Sequence, residues 1–151
     1  MKREDFRFAH RLRVRWAETD LQRVVFNANY YLYFDVAITE YWRAIGFNYP
    51  AGLVEAYGTD LYAVASSAQF HAPAAYDEEL DIACRAARIG RTSAAFALGI
   101  WRGEEHLTSG ELVYVNADPA TRKPVPLPQG ILDKIYRFEV RRPDTKASIC
   151  S

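Results

Sequence analysis

A chain of 151 residues, half of them apolar and a quarter charged, is long enough to bury one core and has the make-up of an ordinary globular domain. Its 19 basic and 19 acidic residues cancel, so no overall field draws in nucleic acid or an anionic membrane, and a nucleic-acid role is not expected. No apolar stretch is long enough to span a bilayer, the charged start over residues 1–10 lacks the apolar core of a secretion signal, and Cys84 and Cys150 make no disulfide framework; a cytoplasmic protein with two free thiols is expected.

Residues 10–16 alternate His10, Leu12, Val14 and Trp16 against Arg11, Arg13 and Arg15, which predicts a half-buried strand. An apolar link then leads into a predicted helix over 28–45, with Asn27 as its N-cap and Gly46 just past its end. This helix is apolar almost all round. Its polar residues are confined to Asp35, Thr39, Glu40 and Arg43, so it must be nearly enveloped. Residues 48–60 are turn-rich, with a short helical turn expected at 53–57. Strands are predicted over 61–70, 79–89, 92–102 and 106–116, with hairpin turns at Gly90-Arg91 and Gly103-Glu104 and a proline-bearing connection at 72–77. A proline-punctuated loop over 119–128 precedes a weak helix at 129–137. The picture is one domain over 1–140 and a polar, frayed tail over 141–151. A strand, a long apolar helix and four strands joined mainly by short turns make an α+β chain with an antiparallel sheet wrapped round one helix. One curved sheet covers only part of such a helix, so self-association is expected.

Asp20 falls between the first strand and the helix start, where unpaired N–H groups and the helix dipole favour negative charge. A carboxylate there either caps a turn or does chemistry. Glu18, two residues earlier, is read as a surface residue, with a supporting role beside Asp20 as the alternative. Asp35, Thr39 and Arg43 make a stripe that faces either a partner or solvent. Arg88, Arg91, Arg102, Arg122 and Lys123 are candidates for phosphate contacts, with Arg88 and Arg91 preferred. His10, His71 and His106 share no ligand spacing and are read as ordinary sheet histidines, so no metal site is expected.

The segment Glu18-Thr19-Asp20 to Tyr30, with Tyr33-Phe34-Asp35 on the helix, resembles the hotdog-fold acyl-CoA thioesterases of the 4-hydroxybenzoyl-CoA thioesterase type. The match lies in an Asp after a strand, a short loop, an Asn-containing helix start and a Tyr, here Asp20, Asn27 and Tyr30. The run from Phe70 to Leu80 looks like that family's connection between its second and third strands, and Lys123 to Pro128 looks like its terminal proline loop. The pattern departs from the family at Arg23, where many relatives have a glycine, and around Asn27, where they have an aromatic residue or a His.

The resemblance implies a hotdog fold and sheets joined into a homodimer or homotetramer. It further implies an active site at the dimer interface, an acyl-CoA substrate and no cofactor. Asp20 would be the nucleophile or the general base, and the backbone N–H at Asn27 or Ala28 would polarise the carbonyl. Tyr30, Arg88 and Arg91 are the expected substrate contacts. A hydratase on the same architecture wants a His or Glu near the helix start, and none stands between Gln22 and Asn29. A non-catalytic acyl-CoA-binding protein of this fold is the alternative.

Overall fold

The computed structural model describes residues 1–145. Strands β1 (Phe8–Arg13), β2 (Asp60–Phe70), β3 (Glu79–Ile89), β4 (Ser93–Arg102) and β5 (Glu105–Ala117) form an antiparallel sheet in the order β1-β3-β4-β5-β2. A two-residue strand, β6 (Asp144–Thr145), adds to β3 in parallel. Helix α1 (Asn29–Ala44) lies against one face, and the shorter α2 (Gln129–Phe138) follows the proline loop.

Alternation decides which residues meet the helix. Leu80, Ile82, Cys84 and Ala86 of β3 face the same side as Phe96, Leu98 and Ile100 of β4, and all are fully buried with Phe34, Ala37 and Tyr41 of α1. At Gly110 on β5 an added Cβ would lie 2.5 Å from the Phe34 ring, so the glycine leaves room for that ring against the sheet.

Three boundaries differ from those read in the sequence. β1 ends at Arg13, and the chain then turns through a short 3₁₀ segment, Trp16–Glu18, so Trp16 leaves the strand face and is 75% exposed. Helix α1 begins at Asn29, with Ala28 rather than Asn27 at the capping position and no side-chain cap. The tail is not frayed as far as Thr145, because Asp144 and Thr145 find β3 free beside Arg88 and Ile89, past the point where β1 stops pairing. Cys84 is a buried free thiol, whereas Cys150 lies outside the described residues.

The sheet leaves part of α1 open. Tyr31, Leu32, Asp35, Val36, Thr39 and Arg43 are exposed along one side of the helix. Among the described residues β2 pairs only with β5, and it carries exposed Tyr62, Val64 and Phe70 at the sheet edge. No helix of the described residues is long and apolar enough to cross a membrane.

Candidate active site

The turn that carries Asp20 is closed by backbone hydrogen bonds. The Asp20 N–H donates to the Val24 carbonyl at 3.0 Å, the Arg23 N–H to the Asp20 carbonyl at 2.9 Å, and Thr19 bridges to Val25. Arg23 occupies the left-handed region at φ 64°, which a glycine adopts without strain and other residues adopt at a cost. The turn therefore keeps its bonding pattern although Arg23 stands where many of the thioesterases it resembles have a glycine. Asp20 does cap this turn, since its Oδ1 accepts the Gln22 N–H at 2.8 Å. Its Oδ2 has no hydrogen-bond partner among the described residues.

Glu18 anchors the turn from beneath and is buried, contrary to its reading as a surface residue. Its carboxylate accepts the Arg15 N–H at 2.7 Å, the Arg15 guanidinium at 2.9 Å and the Tyr33 hydroxyl at 3.1 Å. Its carbonyl accepts the Phe26 N–H and the Asn29 side-chain amide, both at 2.9 Å. Burial pushes the Glu18 carboxyl up, but the hydrogen bonds from Arg15 and Tyr33 outweigh it and hold the group below the usual carboxylate range.

A second seam joins the turn to the β2–β3 connection. The Val25 N–H donates to the Ala74 carbonyl at 2.8 Å, and the Ala74 N–H donates to the Tyr30 hydroxyl at 3.1 Å. Arg102 holds the same connection through the Pro73 carbonyl at 3.2 Å while pairing with Glu78 at 2.7 Å. Between these elements opens a cleft of about 570 Å³, lined by Asp20, Phe26, Asn27, Tyr30, Phe70 and His71 among others.

The helix start completes it. Asn29, Tyr30 and Tyr31 donate their N–H groups to the carbonyls of Phe26, Asn27 and Ala28. The N–H groups of Asn27 and Ala28 themselves have no acceptor among the described residues. An open carboxylate oxygen and two open N–H donors thus stand at one end of α1, the pairing that attack on a carbonyl needs.

Of the residues expected to act together, Asp20, Asn27 and Tyr30 line this cleft, and Ala28 follows Asn27 at the helix cap. Tyr30 contributes a wall rather than a free hydroxyl: its ring packs on Phe70 at 5.1 Å and its oxygen is held by Ala74. Arg88 and Arg91 are not brought to it within the chain. They stand at the far end of β3, about 33 Å of extended strand from Glu79. Arg88 makes two hydrogen bonds, at 2.7 and 2.9 Å, to Glu111, and that partner keeps its guanidinium firmly charged. Arg91 is exposed at the β3–β4 turn.

His71 and His106 were separable in sequence but adjoin in space, with ring centroids 5.0 Å apart. Residues 70 and 108 are register partners on β2 and β5, which puts the two imidazoles side by side just beyond. Only the strand pairing reveals this. Among the described residues no group of three or more His, Cys, Asp or Glu side chains is placed to hold a metal ion.

A curved antiparallel sheet wrapped round one long helix, with a cleft at the helix N-terminus that sets Asp20, Asn27 and His71 among apolar walls, defines a hotdog-fold protein. Solved structures share it: the PA5185 protein of Pseudomonas aeruginosa superposes with a TM-score of 0.77 at 25% identity, covering 91% of this chain and 94% of that one. Slr0204, a 1,4-dihydroxy-2-naphthoyl-CoA thioesterase from Synechocystis, also gives 0.77, at 21% identity over 85% of this chain and 94% of its own. In sequence, the acyl-CoA thioester hydrolase YbgC of Escherichia coli O6:H1 is 30% identical over 122 residues, 80% of this chain and 90% of the relative. The family model for the thioesterase superfamily matches residues 22–109, and the chain belongs to that superfamily.

Proposed function

We propose that this protein hydrolyses an acyl-CoA thioester to a carboxylic acid and free coenzyme A, with Asp20 as nucleophile or general base. The observation that carries the reading is the meeting of Asp20, with its free Oδ2, and Asn27, with its open N–H, at one cleft, the open Ala28 N–H following at the helix cap. The two N–H groups take the carbonyl oxygen as it gains charge, and Asp20 either attacks the carbonyl carbon or takes a proton from the attacking water. Water supplies the hydroxyl of the acid and the proton of the thiol. The similarity to an acyl-CoA thioester hydrolase along most of both chains supports coenzyme A as the carrier.

The working form is a homodimer or homotetramer in the cytoplasm. The unpaired edge of β2 and its exposed Tyr62, Val64 and Phe70 favour edge-to-edge joining of two copies. An antiparallel β2–β2 seam brings the Asp60 end of one copy beside the Phe70 end of the other. The Arg91 turn and the loop bearing Arg122 and Lys123 lie at that Asp60 end, since β2 pairs Asp60 with Ala117 and Arg122 flanks Tyr62 and Val64. Across such a seam Arg91, Arg122 and Lys123 of the partner subunit become the phosphate contacts for a nucleotide leaving the cleft. The test is turnover by purified protein on acetyl-, hexanoyl-, palmitoyl- and benzoyl-CoA, followed as released thiol. Hydrolysis of at least one is expected, and binding without turnover on any would instead favour a non-catalytic acyl-CoA-binding protein.

A further inference from the structure

The cleft has a second polar group, carried by the segment that follows β2. His71 follows β2 and lines the cleft beside Phe70, Ala72 and Pro73. Its backbone N–H donates to the Leu107 carbonyl at 2.8 Å, and its ring Nε2 lies 2.9 Å from the Ser109 hydroxyl. Ser109 is also 3.3 Å from His106 Nε2, and that nitrogen lies 2.9 Å from the Thr108 carbonyl. The His106 ring stacks flat on Trp101, with centroids 4.5 Å apart and planes 14° apart. A chain of contacts from the sheet thus fixes the His71 ring before any substrate arrives.

These partners assign the protons. A carbonyl only accepts, so His106 Nε2 carries a hydrogen and donates it to Thr108. The Ser109 hydroxyl can donate to His71 Nε2, and with that bond made the His71 proton sits on Nδ1, which has no partner among the described residues. Burial, followed by the neighbouring His71, lowers the His106 pKa and keeps that ring neutral, as the relay requires.

We propose that His71 is a catalytic residue whose Nδ1–H donates a hydrogen bond to the sulfur of the departing thiolate. The inference rests on the thioester-hydrolase reading above. A tetrahedral carbon in the cleft has its oxygen at Asn27 and Ala28 and its attacking oxygen at Asp20. The sulfur takes the remaining wall, where His71 is the fixed donor. As the C–S bond breaks, its electron pair stays on sulfur, Nδ1–H stabilises that charge, and the thiol takes its proton from water. The imidazole serves here as a donor through Nδ1–H, with Ser109 holding the ring at Nε2.

The experiment compares His71→Ala and His71→Asn with the wild-type protein on two substrates. One is the acyl-CoA that turns over fastest in the panel above; the other is the 4-nitrothiophenyl thioester of the same acyl group. The aryl thiolate carries its own charge and needs no donor, whereas the alkyl thiolate of coenzyme A does need one. His71→Ala should lower kcat on the acyl-CoA by about 100-fold, the scale of losing one transition-state donor, and on the aryl thioester by no more than about threefold. His71→Asn, which keeps an N–H near the Nδ1 position, should recover part of the acyl-CoA loss. Equal losses on both substrates, or no loss on the acyl-CoA, would overturn the role of His71 while leaving the hydrolase reading intact. Failure of the wild-type protein on every thioester would overturn both.

Discussion

The two ends of α1 are finished in opposite ways. At the C-terminus Gly46, at φ 78°, lets its own N–H donate to the Arg43 carbonyl at 3.0 Å and the Phe47 N–H to the Trp42 carbonyl at 2.9 Å. The Phe47 ring then packs on Trp42 at 5.2 Å, so the last turn is both hydrogen-bonded and covered. At the N-terminus no side chain caps the helix, and the N–H groups of Asn27 and Ala28 are left open beside the Asp20 carboxylate. One end spends its polar groups on stability. The other leaves them open, and the turn and helix start around them are held by Glu18, through Tyr33 and Asn29, rather than by a cap.

Breaking the support of the open end should have the larger effect. Glu18→Gln removes charge-assisted hydrogen bonds from a buried carboxylate that receives Arg15 and Tyr33, and unfolding by denaturant should show a loss of about 2 kcal/mol at neutral pH, with kcat falling as the turn loosens. The sign with pH follows from the lowered Glu18 carboxyl. Its stabilisation is fully present above the usual carboxylate range and is lost as pH falls through the folded-state value. The gap in melting temperature between wild type and Glu18→Gln should therefore be constant near neutrality and close in acid. Gly46→Ala perturbs the finished end instead. A side chain at φ 78° is strained, so stability should drop by about 1 kcal/mol while kcat on an acyl-CoA stays within about twofold of wild type. A matching loss of activity from Gly46→Ala would erase the contrast between the ends.

Much of the scaffold was legible because it is local. Strands read over 79–89, 92–102 and 106–116 fall on β3, β4 and β5, the Gly90-Arg91 and Gly103-Glu104 turns lie between them, and Gly46 marks the end of α1. What was not legible depends on distant partners. The alternation through Trp16 continues in sequence, yet the chain leaves the sheet there to bury Glu18 against Tyr33, fifteen residues on. Asn27 reads as a good cap, but its residue type says nothing of Asn29 reaching back to the Glu18 carbonyl and setting the helix start. At the cleft, the spacing from Asp20 to Asn27 and Tyr30 was readable. The place of His71 was not, because it needs the pairing of β2 with β5 across a long sequence separation. Arg88 was picked for its turn and charge, and only the register shows Glu111 waiting for it on the next strand but one.

The central claim is that the carboxylate at the open end of α1 does the chemistry, and Asp20→Asn tests it most directly. Asparagine keeps the size and the Oδ1 acceptor that caps the Gln22 N–H, so the turn and the oligomer should survive while the charge at Oδ2 is lost. With melting temperature and oligomeric state unchanged, kcat on the fastest acyl-CoA of the panel should fall by about 100-fold or more, the scale of losing a general base. A folded Asp20→Asn protein that hydrolyses that acyl-CoA within a few-fold of the wild-type rate would contradict the account.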